Sequence, residues 1–424
     1  MDTERSRINK YIIIYYAILL LIMAIRTSLS APHPVIRLGY LLAFFIPIIC
    51  KYTKLYLPCV ITFMTVCTYN FAFGYLPYET NVYFYITLLA WIIALGLGVK
   101  IKSNVSTLFF AILYYVGTIN IIYGGSLTNA FYGMAAVGIG MLITGNDLRF
   151  NRFAMLNCFT ILSFVLSAIY LYNYEAFLET YNQFDGQERS GWTDPNYLSC
   201  VIGSGVITSL ILLLKEQKTS IFIKIFWVIT IVVCFVAQVL MASRGGMLSV
   251  GVAVLILILF SKISNFYKVI LILIISLFIT VLYTNDYFEL LLYRVENDTS
   301  SGGSGRVDIW DLKISTFISE GNVFNWLFGI GHDQAYKLGF SGNGRAFHND
   351  YLAILCGYGV VGLLTFLYLL FIRPFKNIRN DRSIILALVL YLAVTCLTLE
   401  PISAGRITFI GFYSLILICA KTEN

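Results

Sequence analysis

Arg189, Arg244 and His348 stand where apolar runs begin or end. Their segments are Arg189-Ser-Gly-Trp-Thr-Asp-Pro-Asn196, Leu240-Met-Ala-Ser-Arg-Gly-Gly246 and Gly344-Arg-Ala-Phe-His-Asn-Asp-Tyr-Leu352. A guanidinium keeps its proton and meets phosphate through two parallel hydrogen bonds. A neutral imidazole near pH 7 is the most practical general base at a lipid–water boundary. Together these groups suit transfer chemistry on an anionic substrate, with a diphosphate leaving group stabilised without Mg²⁺.

Each residue also has a plainer reading. A charge at the end of a span is costly unless it reaches water or a partner, so Arg244 could snorkel to the interface or pair with a carboxylate. Gly245 and Gly246 favour a ligand there, because they let it approach the backbone closely. Arg189 could be a solvated loop charge paired with Glu188 or Asp185, and a lone histidine is commonly structural. His332, in a glycine-flanked loop, and His33, between Pro32 and Pro34, read as structural. The motifs of soluble enzymes are missing: there is no Walker lysine loop, Gly-x-Ser-x-Gly elbow, His-Glu-x-x-His or Asp-x-Asp. Gly329-Ile-Gly331 is a weak glycine signal in the wrong context for a dinucleotide. Three histidines build no zinc site with these neighbours, so no metal or cofactor is expected.

Composition names the elements that must position these residues. Of 424 residues, 59% are apolar and 12% charged, and the mean hydropathy is +0.81. A soluble domain has roughly 45–50% apolar and about 25% charged residues, so one core with a charged skin is excluded. Disordered, disulfide-rich secreted and ordinary soluble α/β classes are excluded with it. The nine cysteines lie inside apolar runs and read as small buried residues rather than disulfides or metal ligands.

Fourteen apolar runs are long enough to be considered as spans: 11–25, 36–50, 55–74, 82–99, 105–123, 127–143, 153–173, 196–214, 221–240, 246–260, 267–283, 350–372, 383–399 and 406–420. The chain is therefore expected to be an all-α polytopic membrane protein with about 14 transmembrane helices, forming a single transmembrane domain over 1–424. The run 127–143 is the weakest, interrupted by Gly133, Gly138 and Gly140. The first run follows Arg5, Arg7 and Lys10 and reads as an uncleaved anchor. With the N-terminus inside, nineteen of the 29 Lys and Arg fall on inner segments. The positive-inside rule then gives N-in, C-in.

Two outer segments are more than connectors. One is the loop 174–195; the other is 284–349, between spans 11 and 12, and loops of that length usually carry function. In the second, Val307, Trp310, Ile314, Phe317 and Ile318 recur at helical spacing and predict a helix with one apolar face. Two spans separate Arg189 from Arg244, and two more separate Arg244 from His348. All three therefore share one membrane face whichever way the N-terminus points, and Arg26, Arg37 and Arg406 flank spans on that face.

The order Arg189-x-Gly-x-x-x-Pro-Asn, Ser243-Arg-Gly-Gly, Arg306…Trp310, Phe328-Gly-Ile-Gly331 and His348-Asn-Asp-Tyr-Leu352 resembles the O-antigen polymerase/ligase superfamily, Wzy-like proteins and the related WaaL-like ligases. The resemblance runs from about residue 150 to the end. It implies a membrane glycosyltransferase similar to the metal-independent GT-C-like enzymes, in the bacterial cytoplasmic membrane with its active site facing the periplasm or exterior. It implies undecaprenyl-diphosphate-linked oligosaccharides as donor and acceptor. Arg189 and Arg244 would hold the donor diphosphate, and His348 would take the proton from the acceptor hydroxyl as it attacks with inversion. Arg345 and Arg306 are secondary candidates for phosphate contact or for holding the loop; Asn349 and Asp350 are secondary candidates for orienting the imidazole. A chain-length regulator is a candidate partner; nucleic acid is not.

The leading reading is a capsule or O-antigen repeat-unit polymerase. A ligase moving the finished glycan to lipid A core or protein would share its chemistry. A lipid-linked oligosaccharide flippase is a rival of another class, disfavoured by the scarcity of charge in the middles of the spans. A peptidoglycan polymerase would need a catalytic carboxylate in a family-like motif, which is not seen.

Overall fold

The computed structural model describes Ile14 and residues 103–125, 152–175, 195–216, 219–299, 305–340, 344–376, 382–403 and 407–421. The runs expected before residue 100, the run 127–143, most of the 174–195 loop, and Arg26, Arg37, Arg189 and Arg406 lie outside the described residues.

Among the described residues the regular structure is helical throughout. Six apolar helices come first: α1 (Ser103–Ile122), α2 (Arg152–Tyr172), α3 (Pro195–Lys215), α4 (Ile221–Leu240), α5 (Arg244–Phe260) and α6 (Asn265–Thr284). The long segment then contributes α7 (Glu289–Thr299), α8 (Arg306–Glu320), α9 (Val323–Phe328) and α10 (His332–Lys337). The chain returns through α11 (Asp350–Leu367), α12 (Arg382–Thr398) and α13 (Ile407–Lys421). The apolar helices begin and end within about two residues of the runs read from sequence, which is the ordinary uncertainty of helix ends, except that α11 gives way after Leu367 to a π-helical turn, Tyr368–Ile372, that completes its run. α2, α3, α4, α6 and α11 with its continuation to Phe375 are long and apolar enough to cross a membrane. The chain is an integral membrane protein.

α3 is the central post, packed on α2, α4 and α5, and α5 in turn packs on α12. Lipid offers helices no hydrophobic reason to associate, so small residues and buried polar contacts join them. At Gly205 of α3 a Cβ would stand 2.2 Å from the Ser163 Cβ of α2. Thr160 and Thr208 bond across the same pair at 2.9 Å, and Trp227 Nε1 of α4 donates to Asn157 Oδ1 at 2.9 Å. Tyr391 of α12 donates to the Cys200 carbonyl. The six described cysteines are all buried. By contrast α6 exposes Leu273, Ile274 and Leu277, a surface suited to lipid.

The helix expected in the long segment is α8, but its apolar face is divided. Phe317 is buried, while Val307 and Ile318 are exposed. Lys313 accounts for the difference. It is fully buried, and its ammonium donates to the carbonyls of Ala335 (3.1 Å) and Tyr336 (2.7 Å). The helix therefore turns the stripe Trp310, Lys313, Ile314 and Phe317 inward.

Candidate active site

Helix ends from distant parts of the chain meet at one end of the bundle. Asn196 and Tyr197 lie in the first turn of α3, Arg244 opens α5, Asp350 opens α11 and Thr398 closes α12. Ser243 caps α5, its Oγ accepting from the Gly246 amide and donating to Asn196 Oδ1 at 3.1 Å. A Cβ at Gly245 would stand 2.5 Å from Thr398 Oγ1, so α5 and α12 touch where Arg244 emerges. The Glu400 amide donates to the Tyr197 hydroxyl at 3.3 Å, and the Asp350 amide donates to the Leu399 carbonyl at 3.0 Å. Arg306, first residue of α8, donates through Nη1 to the Thr398 carbonyl at 3.0 Å.

Through these bonds Arg244, Arg306 and His348 come to the same end of the molecule. Arg244 is exposed beside the α5 N-terminus. The N-termini of α3, α5 and α11 present their positive dipole ends there, a field that favours an anion. Arg345 is also exposed, but its guanidinium lies 5.3 Å from the Phe340 ring and its amide donates to the Tyr336 carbonyl. It is thereby tied to the α10 side of the long segment.

His348 has φ +51, in the left-handed region that side chains other than glycine seldom enter. Such a residue persists only when its surroundings over-determine it. Before it, Phe347 is buried, its carbonyl accepts from Trp310 Nε1, and its ring lies 4.3 Å from the Lys313 ammonium. After it, Asn349 Oδ1 caps α11 by accepting from the Leu352 amide at 3.2 Å. The Asp350 carboxylate accepts from Ile402 (2.9 Å) and Ser403 (2.7 Å). Both side chains, which follow the half-buried His348 in the chain, thus hold backbone at Leu352 and at Ile402 and Ser403.

Two residues that the sequence did not single out complete the frame. Glu400 is buried, and its carboxyl receives backbone hydrogen bonds from Phe347 and His348. Burial, reinforced by the Asp350 carboxyl, pushes it up to about 7, against those hydrogen bonds and the Lys313 charge. Burial likewise pulls Lys313 down to about 8, with Glu400 opposing. The one sequence signal for Glu400 is its place at the end of an apolar run. A helix C-terminus is unfavourable for negative charge, so an acid there needs a reason. Among the described residues no cluster of three His, Cys, Asp or Glu converges as a metal site.

Residues 229–367 match a family model described as O-antigen ligase (Wzy_C). The matched stretch runs from α4 through the whole of α11 and includes Arg244, Arg306, Arg345, His348, Asn349 and Asp350. Arg189 and Glu400 fall outside it. No curated protein matches the chain. Over those residues, about a third of the chain, the sequence is similar to the O-antigen polymerase/ligase superfamily.

Proposed function

We propose that the protein is a repeat-unit polymerase, moving a growing glycan from undecaprenyl diphosphate to the terminal sugar of a lipid-linked repeat on the exterior face of the cytoplasmic membrane. The observation that carries this reading is the pinned left-handed backbone of His348 at the end of the bundle where Arg244 opens α5. The His348 imidazole accepts the acceptor hydroxyl proton while that oxygen attacks the anomeric carbon. The bond from that carbon to the diphosphate oxygen breaks, with inversion, and undecaprenyl diphosphate leaves with the electron pair.

Arg244, with Arg189 from the preceding loop, holds the diphosphate and stabilises the charge growing on its bridging oxygen. Arg306 and Arg345 serve as further anion contacts or as ties for the loop. Arginine supplies permanent charge and paired donors, so the departure requires no divalent cation. Buried positions for Glu400 and Lys313 keep this machinery rigid rather than reactive.

A ligase reading retains one specific support, the description of the matching family model as O-antigen ligase. The two differ in acceptor, not in site. The deciding experiment supplies purified enzyme with lipid-linked repeats alone, or with repeats and a lipid A core acceptor. Polymer from repeats alone supports the polymerase. Product only when core acceptor is present replaces it with the ligase, and no transfer by wild type under either condition overturns both.

A further inference from the structure

The pairing of the long segment with α1 and α11 records how deep part of that segment goes. Near the site end of α1, Asn325 of α9 donates to the Tyr123 hydroxyl, and Gln334 of α10 donates to the Tyr123 carbonyl at 3.1 Å. Between them the chain descends. The Tyr115 hydroxyl donates to the Phe328 carbonyl at 3.1 Å and also engages the Tyr358 carbonyl of α11. It then climbs again, the His332 amide donating to Asn120 Oδ1 at 3.0 Å.

Two helices measure the same depth independently. Tyr115 lies seven residues from the Ile122 end of α1, and Tyr358 eight residues from the Asp350 start of α11. At 1.5 Å per residue these are about 11 and 12 Å below the ends of the apolar helices. The interfacial zone accounts for only roughly 5–7 Å on each side of the hydrocarbon core.

Backbone at that depth must have its polar groups satisfied by protein. α11 is broken there, with Gly359 at φ +65. The Cys356 and Gly357 carbonyls accept from the Ile330 amide (3.1 Å) and the Gly331 amide (2.9 Å). The contact is backbone on backbone: a Cβ on Gly329 would stand 2.2 Å from the Gly357 carbonyl oxygen. The other side of α9 is apolar and exposed, with Val323 64%, Phe324 47% and Leu327 43% exposed, while Trp326, 40% exposed, turns its Nε1 back to the Phe317 carbonyl of α8.

We infer that residues 323–337 form a re-entrant hairpin that dips into the membrane leaflet on the site side, with α9 bearing Val323, Phe324, Trp326 and Leu327 against lipid acyl chains. The hairpin fixes the platform of α8, Phe347 and His348 at headgroup level, since Lys313 is bonded to Ala335 and Tyr336 at its returning end. This assignment rests on membrane insertion alone and is independent of the reaction proposed above.

The test places single added cysteines at Phe324, Ser319 and Leu273 in the full chain in lipid nanodiscs, with unmutated protein as the labelling baseline. Val323→Cys is a second probe if Phe324→Cys fails to fold. Leu273 marks hydrocarbon on α6, and Ser319 marks water on α8. A soluble maleimide should label Ser319→Cys readily and Phe324→Cys as poorly as Leu273→Cys. A fluorophore attached at Phe324→Cys before reconstitution should lose most of its emission to doxyl-labelled lipids. Rapid labelling without lipid quenching would put the hairpin in water and overturn the inference. Slow labelling without quenching would put protein against α9 and overturn it too. None of these outcomes depends on glycan transfer.

Discussion

Glu400 and His348 belong to different connections between spans, yet the Glu400 carboxyl takes a hydrogen bond from the His348 backbone amide. The same carboxyl takes the Phe347 amide, and its Oε1 is buried without a hydrogen-bond partner. A carboxyl held this way stabilises the unusual backbone of the candidate base while itself bearing the strain of burial. It links the α12 end to the α11 start in the segment where a left-handed residue must be maintained.

That burial predicts a pH dependence of stability. Glu400 is raised from the ordinary carboxylate range to about 7, so the folded protein takes up its proton before the unfolded chain does. Above about pH 7 both states are ionised and the folded one carries a buried charge. As pH falls from about 7 toward the unfolded value, stability rises, and below that it levels off. Glu400→Gln should flatten this rise, melting higher than wild type near pH 8 and close to it near pH 5. Equal slopes in the two proteins would remove Glu400 as the titrating group.

His348→Gly separates chemistry from folding. A non-glycine residue at φ +51 costs about 1–2 kcal/mol that glycine does not, while glycine adds freedom to the unfolded chain. The variant should therefore melt near the wild-type temperature. Glycan transfer should fall by on the order of 10²–10⁴-fold, the usual contribution of a general base. A well-folded His348→Gly protein with wild-type transfer would end the base assignment.

Arg244→Lys keeps the charge and loses the fork. If the diphosphate is held by two parallel hydrogen bonds, removing one charge-assisted bond costs about 1.5–3 kcal/mol, or roughly 10–100-fold in transfer. Lipid-linked single repeats should accumulate in cells carrying the variant. Ser243→Ala, which removes the α5 cap, should lower melting by the effect of about 1 kcal/mol typical of a lost N-cap. Full polymer length with Arg244→Lys would reduce Arg244 to a point charge at the interface.

The apolar helices were legible in the sequence because each is bounded by charge or glycine, as Ser243-Arg-Gly-Gly246 bounds α5. Placing Arg244 and His348 at one end needed only the parity of the intervening spans. The burial of Lys313 was not legible: helical spacing sets it beside Trp310 and Phe317, but the aromatic and carbonyl groups that enclose its charge come from Ala335, Tyr336, Phe340 and Phe347. Glu400 was hidden for a similar reason, its carboxyl's partners Phe347, His348 and Lys313 lying in the long segment before α11, far from it in sequence. Phe328-Gly-Ile-Gly331 looked like a weak loop motif, since its purpose appears only against the α11 break. That break is itself concealed by Gly359 sitting inside a continuous apolar run.

The same break supplies the sharpest stability contrast. Gly359 needs its left-handed backbone, and an added Cβ would lie 2.3 Å from the Leu327 backbone, which cannot yield as a flexible side chain would. Overpacking of this kind costs about 1–3 kcal/mol, and the positive φ adds about 1–2 kcal/mol for any residue bearing a Cβ. Gly251, on α5, would meet nothing within 4 Å. Gly359→Ala should lower both yield and melting temperature and loosen the Phe328–Gly331 segment, read as faster backbone amide exchange at Ile330 and Gly331. Gly251→Ala, gaining helix propensity of up to about 1 kcal/mol, should match or exceed wild type. Equal melting of the two variants would mean that α11 tolerates regular helix through Gly359, and that the long segment is not locked to it.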